Sequence, residues 1–182
     1  MAHIAIVGDG PGGLSAALFL AKAGETVTVF GTDETALHYA YLYNYLGVAE
    51  ISGSDFQRVA RDQVTSFGAE MHAGRVATIS SADEQFRLAT EDGIEVTADY
   101  LILTEGKNPA LAESLGLEKT EEGIAVDREY RSSLDRVYVV GRSARPRRSQ
   151  AIISAGAGAT AAVDILSRES GKDYQDWDSP PD

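Results

Sequence analysis

The chain has 182 residues, enough for one domain with a hydrophobic core. Its 43% hydrophobic and 24% charged residues exclude a disordered chain, and its 16 Lys plus Arg against 28 Asp plus Glu, net −12, argue against general nucleic-acid binding because phosphate backbones are repelled. It contains no cysteine, which removes disulfides, thiolate metal sites and dithiol redox chemistry from this chain.

In chain order, the first element predicted is a buried strand at His3–Val7, a short apolar run. The opening MAHIAIVGDG enters that strand with no charged leader, and every apolar run is too short to span a bilayer, so the expectation is a soluble, cytoplasmic protein with no membrane partner. Residues 8–13 form a glycine-rich turn. Residues 14–23, rich in Ala and Leu and stopped by Gly24, read as a helix. Thr26–Phe30 is β-branched and apolar, a second strand, and the whole is a βαβ unit. Residues 33–47 are ambiguous.

Residues 55–67 have helical periodicity, with Phe56, Val59, Ala60, Val64 and Phe67 on one face. Residues 75–79, 85–89 and 94–97 read as an antiparallel meander, with Glu91-Asp92-Gly93 as a turn signal. Tyr100–Leu103 returns to a buried parallel strand. Residues 111–117 form a short helix, residues 137–140 the last buried strand, and residues 150–167 a helix of small side chains. The domain expected is 1–170, followed by an acidic tail, 171–182, that is extended or disordered. His3, His38 and His72 lack metal-ligand spacing, and no metal is expected.

The turn Gly8-Asp9-Gly10-Pro11-Gly12-Gly13 fits G-x-G-x-x-G, with a strand before it and a helix after it. Gly8 permits the sharp turn, Gly10 lets a pyrophosphate approach the backbone, and Gly13 lets helix and strand pack closely. The N–H groups of the helix start would face the phosphates. The acid that ends the second strand of such a unit binds the adenosine ribose. Its usual place is Gly31 here, so Asp33 or Glu34 serves if either does; a solvated loop is the alternative.

From these residues the chain resembles thioredoxin reductases and the wider two-dinucleotide-binding flavoproteins. VGDGPGGLSAALFLAKAG is similar to the start of that family, and Pro11 with Leu14-Ser15-Ala16-Ala17 implies FAD rather than NAD. Asn44-Tyr45-Leu46-Gly47 resembles an Asn-aromatic-Pro-Gly turn beside the flavin, with Leu46 in place of proline. Phe67-Gly68-Ala69-Glu70 followed by Val76 resembles the segment that holds the adenine. ADYLILTEGKNP, ending in Gly106 to Pro109, resembles the strand and turn that close the second domain. Residues 123–141 resemble the return into the FAD domain, and Ser149-Gln150-Ala151-Ile152 begins a helix similar to the one that caps the flavin. The fold implied is a three-layer α/β sandwich: a central parallel sheet, helices on one face and an antiparallel meander on the other. No second glycine fingerprint lies between Tyr100 and the return segment. The resemblance therefore implies a lone FAD domain that does not reduce thioredoxin. Twelve Arg against four Lys, on an acidic chain, also resembles proteins of salt-loving archaea.

Where the family has Gly-Asp after its last strand, this chain has Gly141-Arg142-Ser143. Arg142 would neutralise the pyrophosphate by charge-assisted hydrogen bonds, and Ser143 would supply a hydroxyl. Arg145, Arg147 and Arg148 follow, for anion recognition or as a solvated basic loop. Gln150 and the N–H groups of Ala151 and Ile152, at a helix N-terminus, would stabilise negative charge on a reduced flavin. Tyr39, Tyr41, Tyr43 and Tyr45 alternate. Tyr43 and Tyr45, with Asn44, would lie nearest the flavin; a subunit contact or plain packing is the other reading.

No residue is a persuasive catalytic acid, base or nucleophile. Glu105 is left open between the site and the surface. The function expected is a flavin oxidoreductase reduced by free NAD(P)H, by a ferredoxin or by a separate reductase. The alternatives are a non-catalytic flavin-binding sensor and the FAD subunit of a split reductase with a nicotinamide-binding chain. A homodimer is expected through residues 39–47 or the tail.

Overall fold

The computed structural model describes residues 1–82 and 84–179. Strand β1 (His3–Val7) runs into helix α1 (Pro11–Lys22), whose first position is a proline with no N–H to leave unpaired. Strand β2 (Thr26–Phe30) follows and pairs with β1 in parallel. The ambiguous stretch then resolves into a one-turn 3₁₀ helix (Ala36–Tyr39) and a small antiparallel pair, β3 (Tyr41–Leu42) with β4 (Ile51–Ser52). Helix α2 (Gly53–Ser66) starts two residues before its apolar periodicity does. Ser52 caps it by accepting from the Asp55 N–H at 3.1 Å.

Strand β5 (Glu70–His72) joins the parallel sheet beside β2. The meander is β6 (Val76–Ala82), β7 (Gln85–Thr90) and β8 (Glu95–Ala98), antiparallel throughout. Strand β9 (Tyr100–Leu103) returns to the main sheet. Between it and the last strand lie a single helical turn, α3 (Ala110–Ser114), and a two-residue hairpin, β10 (Lys119–Thr120) with β11 (Gly123–Ile124). Strand β12 (Val137–Val139) closes the sheet, and α4 (Ala151–Ser170) lies across α1. The sheet order is β12-β9-β1-β2-β5.

Strand alternation divides the core in two. Ile4, Ile6, Val27, Val29, Ile102 and Tyr138 face α1, α2 and α4. Ala5, Val7, Phe30, Leu101, Leu103 and Val139 face the meander and α3. This is the three-layer α/β arrangement expected. The central Ile4, Ile6, Leu101, Ile102 and Leu103 are fully buried, each contributing about 1.5–3 kcal/mol. The described part of the tail, residues 171–179, is irregular but attached: the Tyr174 N–H donates to Ser167 Oγ at 3.0 Å, and Lys22 pairs with Asp176 at 2.7 Å. The remainder of the expected tail, 180–182, lies outside the described residues.

One polar cluster ties α4 to the sheet. Asp164 Oδ2 accepts from the Tyr138 hydroxyl at 2.6 Å and from Arg131 Nε at 2.7 Å. Burial pushes the Asp164 carboxyl up, but these hydrogen bonds and the Arg131 charge outweigh it and hold it below the usual aspartate range. A lowered carboxyl stabilises the fold above the unfolded-state value, and the contribution is lost as pH falls through the folded value. Asp164→Asn should therefore be less stable than wild type by about 1–3 kcal/mol at neutral pH, a deficit that shrinks below about pH 4. Urea titrations of both proteins at pH 7 and below 4 check this; a deficit independent of pH would show that the charge of Asp164 contributes nothing.

Candidate functional site

The carboxyl ends of β1, β2, β9 and β12 open into one continuous cleft of about 830 Å³. It lies where the chain leaves β1 towards β2 on one side and β9 on the other, the switch point at which open α/β sheets bind ligands. The glycine turn forms its floor. Gly8 has φ +107°, and a Cβ on it would lie 2.4 Å from the Thr104 carbonyl oxygen. A Cβ on Gly13 would lie 2.1 Å from the Gly8 carbonyl oxygen, so this glycine serves packing and is not itself in the cleft wall.

Gly10 is different. Its φ of −72° suits any residue, and a Cβ there would meet only Thr35 Oγ1, at an ordinary 3.6 Å. Neither backbone nor packing asks for glycine, yet Gly10 lines the cleft. The bare main chain there leaves the cleft floor open, and a pyrophosphate lying on it at the start of α1 would fit.

Of the other residues singled out by sequence, Pro11, Gly12, Val76, Gly106, Gly141, Arg142, Gln150 and Ala151 line the cleft; Asp33, Asn44, Tyr45, Ser143 and Ile152 do not. Asp33 turns away with φ +59° and holds His38, its Oδ1 lying 3.1 Å from Nε2. Glu34 lines the cleft instead, paired with Arg75 at 2.7 Å. Ser143 is buried and its hydroxyl donates to the Gly106 carbonyl at 3.2 Å, so it steadies the neighbouring turn rather than facing a ligand. Asn44 reaches the far end of the cleft indirectly, donating to Gln150 Oε1 at 3.3 Å.

The tyrosines point outward. Tyr39 is 96% and Tyr43 72% exposed, Tyr41 packs on Tyr43 at a tilt, and Tyr45 packs on Phe56. Leu37, Ala40 and Leu42 face the cleft from this segment.

Sequence reasoning left Glu105 open and gave Asp9 no role. Glu105 is a capping group: its carboxylate accepts from the N–H groups of Leu111 at 2.8 Å and Ala112 at 3.0 Å, fixing the start of α3. Burial pushes this carboxyl up and the two N–H groups pull it back. It also lines the cleft. An acid five residues before a short apolar helix was the available signal. Lys107 and Arg142 line the cleft as cations, while Arg145 and Arg148 stand exposed beside it. Among the described residues Arg142, Arg145 and Arg148 have no acidic partner within 4 Å, and Arg147 has only Glu121, at 3.9 Å.

A three-layer fold with a glycine turn under a cleft at the switch point is a Rossmann-type dinucleotide-binding domain. The chain belongs to the pyridine nucleotide-disulphide oxidoreductase family, whose sequence pattern matches residues 44–159. It is a thioredoxin reductase-like FAD-binding domain. It is 32% identical over 107 residues to a thioredoxin reductase of Aquifex aeolicus, an alignment covering 57% of this chain and 33% of that protein. It is 31% identical over 117 residues to the enzyme of Spironucleus barkhanus, covering 62% and 38%. The chain thus spans about a third of the length of these curated relatives. In fold it is similar to a thioredoxin reductase structure from Gloeobacter violaceus, with TM-score 0.86, 18% identity and coverage of 98% of this chain and 99% of that one. It is also similar to a ferredoxin-flavin thioredoxin reductase from Clostridium acetobutylicum, with TM-score 0.81, 17% identity and coverage of 93% and 98%. Among the described residues no helix is long and apolar enough to cross a membrane.

Proposed function

We propose that this chain holds FAD in the cleft and passes electrons through it, with no dithiol relay of its own. The observation that carries the reading is Gly10, a glycine on the cleft floor that neither its backbone conformation nor its packing requires. The cleft continues from it to Gln150 and Ala151 at the start of α4. Bound FAD would supply reversible hydride or electron transfer, while the protein supplies orientation and charge. The turn at Gly8 to Gly12 and Arg142 would hold the pyrophosphate. The N-terminal end of α4, which has no acid in its first turn, would favour negative charge at the far end of the cleft.

The test is the visible spectrum of the purified protein in molar salt, recorded anaerobically before and after NADH or NADPH. A yellow protein that bleaches supports an oxidoreductase taking hydride directly. A colourless protein that added FAD cannot colour overturns the reading.

A second reading, reduction by a separate acidic carrier or reductase chain, is favoured by the unpaired Arg142, Arg145 and Arg148 at the cleft mouth of a chain with net charge −12. One structural neighbour is a ferredoxin-flavin thioredoxin reductase. Reversing Arg145 and Arg148 to Glu should then slow reduction by such a carrier at least tenfold at low ionic strength, with the difference closing in high salt. Stopped-flow reduction measures it; equal rates in wild type and variant exclude this surface. A yellow protein that no donor bleaches points to a flavin-binding sensor.

A further inference from the structure

The second strand of a nucleotide-binding βαβ unit ends in an acid that accepts the adenosine ribose hydroxyls. In this chain the place is Gly31, and its backbone is not in the left-handed region. What excludes a side chain is Asp9. A Cβ on Gly31 would lie 2.2 Å from Asp9 Cγ and 2.6 Å from its Oδ2. The volume that a side chain from β2 would enter already holds a carboxyl group, delivered by the middle residue of Gly8-Asp9-Gly10.

That carboxyl is built in. Asp9 is 5% exposed. Its Oδ2 accepts from the Asp33 N–H at 3.1 Å and pairs with the Arg61 guanidinium from α2. Its main-chain carbonyl accepts from the buried Gln57 Nε2 at 2.6 Å. Arg61 and Gln57 both come from α2, outside the βαβ unit. Oδ1, by contrast, makes no hydrogen bond among the described residues, and Asp9 lines the cleft. Burial outweighs the Arg61 charge and the backbone N–H groups and leaves the carboxyl above the usual aspartate range.

We propose that Asp9 is the ribose-binding carboxylate of this site, moved from the end of β2 to the glycine turn, and that Gly31 is the space that admits it. The proposal rests on the FAD reading and deepens it. One oxygen is held by the protein and the other accepts a ribose hydroxyl. A negative group at that point, with Arg61 already engaged by it, selects dinucleotides with an unphosphorylated adenosine ribose.

The experiment titrates apoprotein with two probes, FAD and its 2′-deoxyadenosine analogue, following quenching of flavin fluorescence. Wild type should prefer FAD by about tenfold. Asp9→Asn should lose most of that preference, and Gly31→Ala should weaken FAD through the clash with Asp9. The double variant Asp9→Ser with Gly31→Glu should regain the preference, because it returns the acid to β2. Wild type that binds both probes equally, or Asp9→Asn that keeps the full preference while folded by circular dichroism, overturns the proposal. Wild type that binds neither probe overturns the FAD reading itself, and the proposal with it. The wild-type comparison needs no variant to fold.

Discussion

Gly10→Ala should fold as wild type does and lose FAD affinity about a hundredfold, close to 2.7 kcal/mol. The fold has no objection to the methyl group. Gly10 is in an extended conformation open to all residues, and the only protein atom near its Cβ position is Thr35 Oγ1, at contact distance. The objection comes from the ligand side, where a Cβ would hold the pyrophosphate off the main chain and away from the N–H groups at the start of α1. Most glycine substitutions in such a turn cannot separate folding from binding; Gly8→Ala and Gly13→Ala would drive a Cβ into carbonyl oxygens. Thermal unfolding of the apoprotein and an FAD titration make the measurement. An unchanged FAD affinity would mean that the phosphates do not lie on Gly10.

Gly158→Ala should have the opposite character, a loss of about 2–3 kcal/mol of stability before any ligand is added. A Cβ on Gly158 would sit 1.9 Å from the Gly12 carbonyl oxygen and 3.1 Å from the Ala16 nitrogen. Both are main-chain atoms of α1 and cannot rotate aside. The two helices would have to separate, pulling on Ala16, Ala17, Ala161 and Ala162, which are fully buried around the contact. Gly12 belongs to the glycine turn, so the same displacement would also widen the floor of the cleft. Urea denaturation of the apoprotein reads the stability term, and retention of the wild-type midpoint would show that α4 can lift without cost. Together the two variants divide the glycine set by purpose, one shaped by the ligand and one by helix packing.

Much of the scaffold was legible because its signals are local. Continuous apolar runs bounded by turn residues gave β1, β2 and β9 with the boundaries observed. The small residues of α4 announced a close approach to the sheet, but what they meet most closely is the main chain of α1; the glycine spacing located the cleft. The segment from Thr35 to Ser52 was not legible. Its alternating tyrosines announce two faces, but alternation does not say which face is inward. Here Leu37, Ala40 and Leu42 take the cleft side, leaving Tyr39 and Tyr43 in solvent. Asp9 was hidden for another reason. An acid was sought at the end of β2, whereas the proposed one comes from the glycine turn, and only the distance from Gly31 to Asp9 points to the exchange. Ser143 likewise depends on a contact across 37 residues, which no short window contains.

Strands β9 and β12 are parallel neighbours, paired from Leu101 with Val137 to Leu103 with Val139, although residues 104–136 lie between them. The pairing is therefore set by the strands themselves and not by the length of the interval, although Ala112, Leu117 and Ile124 of that interval are buried in the same core. A detour of one helical turn and a hairpin closes it, and so would a whole guest domain whose two ends emerge side by side. Any other filling would have to bring its two ends back side by side and replace the core contacts of Ala112, Leu117 and Ile124.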